Sequence, residues 1–215
     1  MAEPITCPFT ILIDTAEGQP FTFHGLRADA DKGSAPLIVP TAYSALGRHP
    51  HSLGDYSIAG LVGRVAVERK SKEDAWGTIL GWETDHQRDC NLPGRRQRFE
   101  KELENLSAIE CGVVIVEASL DACLADMPEW GAKPRVENQK IFYRSIISFY
   151  QRFRVHWIWL PSRRDAEVTA FRWMERYWKK LPKSERKKAI STGGRSLDRA
   201  RMIAFVVEKK NVAIR

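Results

Sequence analysis

Two strand-like runs, Gly54 to Ala59 and Arg64 to Lys70, flank the connection Gly60-Leu61-Val62-Gly63, and this layout constrains the fold more than any other part of the chain. Runs of this kind on either side of a short glycine-bounded link read as an antiparallel hairpin. The two-residue period of a strand then sends Val65 and Val67 to one face and Glu68 and Lys70 to the other. Closing the hairpin brings Asp55 near Glu68. Two carboxylates and an ammonium thus share one end of the hairpin, with a packing face behind them.

Convergent carboxylates suit a hard divalent cation such as Mg²⁺, which takes oxygen ligands and keeps some of its waters. An ammonium beside them suits the charge that builds on a phosphodiester under attack. The pattern points to metal-dependent phosphodiester cleavage; the alternative for Glu68-Arg69-Lys70 is a solvated strand edge. Asp74 also has two readings. Ser71 with Asp74 three residues on fits a helix N-cap opening a helix through Leu80. Otherwise Asp74 is an outer acid that steers Lys70 or a metal-bound water.

Taken together, Gly54-Asp55, twelve residues, Glu68-Arg69-Lys70, three residues and Asp74 resemble the motif of the XPF-type nucleases, a branch of the PD-(D/E)XK superfamily. Ile11-Leu12-Ile13-Asp14-Thr15-Ala16-Glu17 is similar to the family's opening strand, Arg98 to Leu103 to the helix after the site, and Val113 to Glu117 to the next core strand. The resemblance runs from about Thr10 to Lys180 and is strongest in the central motif. It implies a restriction-endonuclease-like three-layer α/β/α sandwich with a central mixed sheet. It further implies that Asp14, Asp55 and Glu68 hold Mg²⁺ or Mn²⁺, that Lys70 positions the attacking water or stabilises the transition state, and that Glu17 and Asp74 stand behind them. Arg69 would clamp a phosphate oxygen or pair with Asp74. The substrate by this analogy is DNA, flapped, forked or branched, cut to a 5′-phosphate and a 3′-hydroxyl. Ala16 stands where many relatives have arginine, and no helix-hairpin-helix signature follows Lys180. The chain thus resembles a small bacterial or phage member. Two other classes stay open: a catalytically silent DNA-binding subunit of a nuclease complex, and a basic protein-interaction module whose acids are surface features.

At 215 residues the chain is long enough to bury a core, and no apolar run approaches a membrane span. The start Met1-Ala2-Glu3-Pro4 lacks the regions of a signal peptide, so the reading is cytoplasmic with no membrane partner. Cys7, Cys90, Cys111 and Cys123 are far apart and read as free thiols, with His86 and Cys90 a weak metal pair. The charge of +7 is uneven: Lys179, Lys180, Lys183, Arg186, Lys187, Lys188, Arg195, Arg199 and Arg201 face only Glu185 and Asp198 in one stretch. That segment is either a polyanion-binding element or a solvated tail, and we divide the chain into a nuclease domain, 1–180, and a basic helical extension, 181–215. Arg95, Arg96 and Arg98 open another helix, where cations oppose the helix dipole, which suggests an external phosphate; a loop-end cluster is the alternative.

Periodicity supplies the remaining elements. Phe9 to Ile13 and Phe21 to Phe23 read as strands, Leu37 to Pro40 as a short strand or the approach to one, and Pro40 and Thr41 as the opening of a short helix through Leu46. Phe99, Leu103 and Leu106 mark the buried stripe of a helix from Arg95, leaving Glu100, Lys101 and Glu104 outside. Val113 to Val116 reads as a doubly covered strand with Glu117 at its exit, a secondary site residue. A helix from Gln139 to Phe153, a strand from Val155 to Leu160 and a helix from Asp165 to Lys180 complete the α/β/α sandwich. The aromatic residues of these last helices read chiefly as core, with any exposed patch meeting a second copy as a homodimer.

Overall fold

The computed structural model describes residues 2–48, 53–82, 94–129 and 133–194. Its strands are β1 (Ile5–Thr6), β2 (Ile11–Asp14), β3 (Leu37–Ile38), β4 (Thr41–Ser44), β5 (Tyr56–Ile58), β6 (Val65–Lys70), β7 (Cys111–Val116) and β8 (His156–Trp159). Its helices are α1 (Lys72–Leu80), α2 (Arg95–Ser107), α3 (Leu120–Ala125), α4 (Arg135–Phe153) and α5 (Arg163–Lys180), and residues 183–194 are also helical. None of the described helices is long and apolar enough to cross a membrane.

Six strands form one mixed sheet in the order β4-β2-β5-β6-β7-β8, and β1 pairs β3 in a separate two-stranded parallel sheet. The expected hairpin is present: β5 runs antiparallel to both β2 and β6, while β6, β7 and β8 are parallel. Alternation sorts the side chains. Ile13, Tyr56, Ile58, Val65, Val67, Val113 and Ile115 pack toward Phe171, Met174 and Trp178 of α5. On the other face Ala66, Val114, Val116 and Trp157 meet Trp76 and Ile79 of α1, Phe99 and Leu103 of α2, and Phe142 and Phe149 of α4. The result is the three-layer α/β/α sandwich with a central mixed sheet that the sequence implies, with α5 on one side and α1, α2 and α4 on the other.

Two local expectations are corrected. Thr41–Ser44 is an edge strand, parallel to β2, and not a helix. Its partner lies some thirty residues earlier, so a pattern of four residues contains no trace of the pairing that decides its state. Phe21 to Phe23 is not a strand. The Phe21 N–H donates to the buried Tyr56 hydroxyl at 2.9 Å and the Phe23 N–H to the Glu167 carboxylate at 2.5 Å, so side chains replace the ladder. Phe23 adopts φ 56°; the Phe21 ring stacks on Tyr56 and the Phe23 ring meets it edge-on. Among the described cysteines, Cys7, Cys111 and Cys123 are free thiols; Cys90, with His86, lies outside the described residues.

The helical residues 183–194 pack against the turn of the hairpin. Gly60 has φ 80°, and a Cβ there would run into the Ala189 carbonyl group. Gly193 approaches Ala59 in the same way, and Arg64 bonds Glu185 at 2.7 Å. Leu181 and Ala189 are buried in the α5-side core. This segment is a docked part of the fold as far as residue 194.

Candidate active site

Adjacent register positions put three acids in a row. Ile13 pairs Tyr56 and Tyr56 pairs Val67, all facing α5; one step further along, Asp14, Asp55 and Glu68 take the opposite face. The Asp14 N–H donates to the Asp55 carbonyl at 2.8 Å, and the Asp55 N–H to the Val67 carbonyl at 2.9 Å. Gly54, at φ 70°, makes the turn into this step, and a Cβ there would press on the Val67 carbonyl oxygen. Lys70 stands two residues beyond Glu68 on the same face. Asp14, Glu68 and Lys70 are each less than a tenth exposed.

The side chains are not equally available. Asp14 accepts from the Gly47 N–H at 2.7 Å and from the Ala16 N–H at 3.2 Å, so its carboxylate anchors the turn Leu46–Arg48. Asp55 accepts the Arg69 N–H at 2.7 Å. Among the described residues no three Asp, Glu, His or Cys side chains converge closely enough to enclose a metal ion as they stand. The donor set still fits one. Asp55 and Glu68 are all-oxygen ligands that repel each other: burial, and next the Glu68 charge, hold the Asp55 carboxyl well above its ordinary range. A hard divalent ion between them would relieve that repulsion and complete its shell with water. Asp14 adjoins this pair but is turned to backbone donors.

Lys70 is the positive centre of the group. Its Nζ lies 2.6 Å from Glu68 Oε1, 3.6 Å from Glu102 Oε2, 3.7 Å from Asp74 Oδ2 and 4.9 Å from the Phe99 ring centre. Burial disfavours the ammonium, but Glu68, Glu102, Asp74 and Asp55 outweigh it, and the Lys70 pKa is raised. Asp74 combines its two readings. Its N–H is capped by the Ser71 hydroxyl at 3.1 Å, while its carboxylate faces Lys70 and accepts from Arg95 at 2.5 Å.

Glu102 is the residue that sequence reasoning passes over. It sits on α2 beside the Phe99, Leu103 and Leu106 stripe, one turn before Leu106, so the helix carries it inward with the apolar residues. That placement was the available signal. Burial, then the Glu68 charge, push its carboxyl up to about 7.

The sheet's other face carries a separate network. Arg69 grips Glu17 with two bonds of 2.9 and 3.0 Å and reaches Glu117 at 3.1 Å. Glu117 also binds Arg163 at 2.6 Å, and the Phe21 ring lies against both guanidinium groups. Burial would raise the Glu17 carboxyl, but Arg69 prevails and lowers it. Arg69 therefore does not pair with Asp74, and Glu17 does not stand behind Lys70. Through Glu117 and Arg163 this network links the ends of β2, β6 and β7 to α5.

The basic residues divide in the same concrete way. Arg95 lies across Gly77, whose missing Cβ leaves room for it, and bonds Asp74. Arg96 donates to the Ile79 carbonyl at 2.7 Å and the Ser145 hydroxyl at 2.9 Å, tying α1, α2 and α4 together. Arg98 is half-buried on α2. Lys183, Lys187 and Lys188 are exposed on the helical residues 183–194, and Arg186 is half-buried there. That helix meets the turn end of β6, while Glu68 and Lys70 occupy its far end, roughly 16 Å along the strand at ~3.3 Å per residue.

No protein-family model and no curated protein matches the sequence. Solved structures that resemble the fold include XPF from Aeropyrum pernix in complex with DNA, at 14% identity and a TM-score of 0.48, and the same protein alone, at 14% identity and 0.46. In both, the match covers 80% of this chain and 66% of the other, so the chain spans just under two thirds of that structure's length. The chemistry of the site stands on its own geometry.

Proposed function

We propose that this chain is a Mg²⁺- or Mn²⁺-dependent DNA endonuclease that hydrolyses phosphodiester bonds. The observation that supports this best is the shared sheet face on which Asp55, Glu68 and Lys70 meet, with the ammonium 2.6 Å from Glu68 and largely shut off from solvent. A structural ion pair needs one carboxylate; this group has a surplus of acids around one cation.

In this reading Asp55 and Glu68 hold the ion, and Asp14 supports them from β2 while keeping the Leu46–Arg48 turn in place. The bound ion supplies Lewis acidity toward a phosphate oxygen and lowers the pKa of a coordinated water. Lys70 places its ammonium beside the reacting phosphate, where positive charge favours the transition state over the ground state. Asp74, itself fixed by Arg95, keeps that ammonium on the α1 side. Arg69 and Glu17 hold the strand ends that set these distances. Exposed Lys183, Lys187 and Lys188 are the basic surface offered to the DNA backbone. Flapped, forked or branched DNA is the favoured substrate class, by the motif resemblance. A homodimer would not use the α5 aromatics, since Phe171, Tyr177 and Trp178 are buried; it would use the exposed Val136, Tyr143, Ile147 and Tyr150 of α4.

Purified protein incubated with Mg²⁺ or Mn²⁺ and matched linear, single-stranded, flap and fork DNAs tests the reading. Cleavage should need the ion and should leave 5′-phosphates. Asp55→Asn and Glu68→Gln should each abolish both cleavage and Mn²⁺ binding measured by calorimetry. Cleavage that survives chelator, or Mn²⁺ affinity unchanged in both variants, would refute it.

A further inference from the structure

Glu102 approaches the Lys70 ammonium without bonding it. Of the three carboxylates around Nζ, only Glu68 is at hydrogen-bonding distance, 2.6 Å; Glu102 and Asp74 wait at 3.6 and 3.7 Å on α2 and α1. Asp74 is already engaged by Arg95 through its other oxygen at 2.5 Å. Glu102 differs: its Oε2 is closed off from solvent and has no hydrogen-bond partner among the described residues. A buried acceptor left without a donor is unfavourable, and such atoms in folded proteins call for an explanation. Among the described residues the cation beside it is Lys70, at 3.6 Å too far for a good bond at present.

We infer that Glu102 is a positioning residue that receives the Lys70 ammonium whenever Glu68 turns away from it. Glu68 has two claims on its carboxylate, the lysine and, on the nuclease reading above, the cation it shares with Asp55. Once it serves the cation, Lys70 loses its shortest bond. Without another acceptor on the α2 side, the flexible four-carbon stem would release the ammonium from the reacting position. Glu102 reaches Nζ from α2 while Glu68 reaches it from β6, and the Phe99 ring in the turn before Glu102 lies 4.9 Å from the ammonium. The lysine therefore moves between two prepared acceptors, and its location during the reaction is set by α2, outside the Glu68-Arg69-Lys70 motif.

Acetylation of Lys70 at one fixed pH, read by peptide mass mapping of the metal-free full chain, isolates this role. Glu68→Gln removes the first seat, and Lys70 should stay protected, within about twofold of the wild type, because Glu102 holds it. Glu68→Gln with Glu102→Gln should raise labelling about fivefold or more, well beyond the product of the single changes. Glu68→Gln with Glu102→Asp, which keeps the charge, should return most of the protection and shows that a loss is not misfolding. Equal labelling in Glu68→Gln with and without Glu102→Gln overturns the inference. In the nuclease assay Glu102→Gln alone should lower kcat about tenfold or more while KM and Mn²⁺ affinity stay level; a fall in Mn²⁺ affinity would make Glu102 a ligand and also overturn it. The labelling needs neither metal nor DNA, so an inactive wild type would defeat the nuclease reading and leave this test intact.

Discussion

Replacing Glu102 with glutamine should stabilise the protein in alkaline solution and have little effect in acid. The glutamate carboxyl is pushed from its ordinary 4.5 to about 7 by burial and by Glu68. A carboxyl whose folded pKa is raised contributes stability that is fully present below 4.5 and is lost as pH climbs through about 7. At ~1.4 kcal/mol per pH unit the whole displacement corresponds to ~3 kcal/mol. The side chain is 30% exposed, so solvent screening reduces this to about 2 kcal/mol. Glutamine has no proton to lose and escapes the penalty. Urea unfolding followed by tryptophan fluorescence, from about pH 5 to about pH 8.5, should show the variant gaining on the wild type by about 1.5 kcal/mol across that range. A gap that stays constant with pH, or a variant less stable than the wild type at the alkaline end, would show that the surrounding acids do not burden Glu102 and that Lys70 already satisfies it.

Lys70→Ala should keep Mn²⁺ and DNA binding and lose turnover by about a hundredfold or more, since the ammonium acts on the transition state; an unchanged cleavage rate removes the lysine from the mechanism. Gly60→Ala should cost about 2 kcal/mol or more, because its φ of 80° and the Ala189 carbonyl both oppose a side chain; thermal unfolding within a degree of wild type would contradict that packing. Lys183, Lys187 and Lys188 changed together to glutamine should reduce the salt dependence of duplex binding by up to about 2.7 in logarithmic slope, at ~0.9 per phosphate contact. An identical slope would place the DNA elsewhere. Substitution is the better test than truncation after Lys180, which would also strip Leu181 and Ala189 from the core.

The legible parts of this fold are those encoded by short-range pattern. The β5–β6 hairpin could be read from its glycines and alternation, and the α1 cap from Ser71 and Asp74, because each depends on residues within a dozen positions. The strand β4 could not, since its parallel partner is distant in sequence. Asp55, Glu68 and Lys70 were visible as a group, and the face they share followed from counting. The identities of their partners did not follow. In the sequence Arg95 is a cation at an unfavourable helix end, and only the packing of α1 against α2 reveals that Asp74 compensates it. Arg69 and Glu17 belonged to the motif, yet alternation alone already sends Arg69 away from Lys70, a consequence the motif's compactness obscured. Glu102 was hidden among the charged residues of α2, on the margin of a stripe drawn by hydrophobicity alone.

Arg69 and Lys70 are neighbours in sequence that live on opposite sides of a sheet, each enclosed by its own carboxylates. The strand works as a partition between two electrical circuits. Sliding β6 by one position against β5 would exchange a guanidinium for an ammonium on both sides at once, leaving each cage with a cation of the wrong shape. A chain that misthreads here could not persist as a sluggish version of itself. Correct assembly and competence would stand or fall on the same registration.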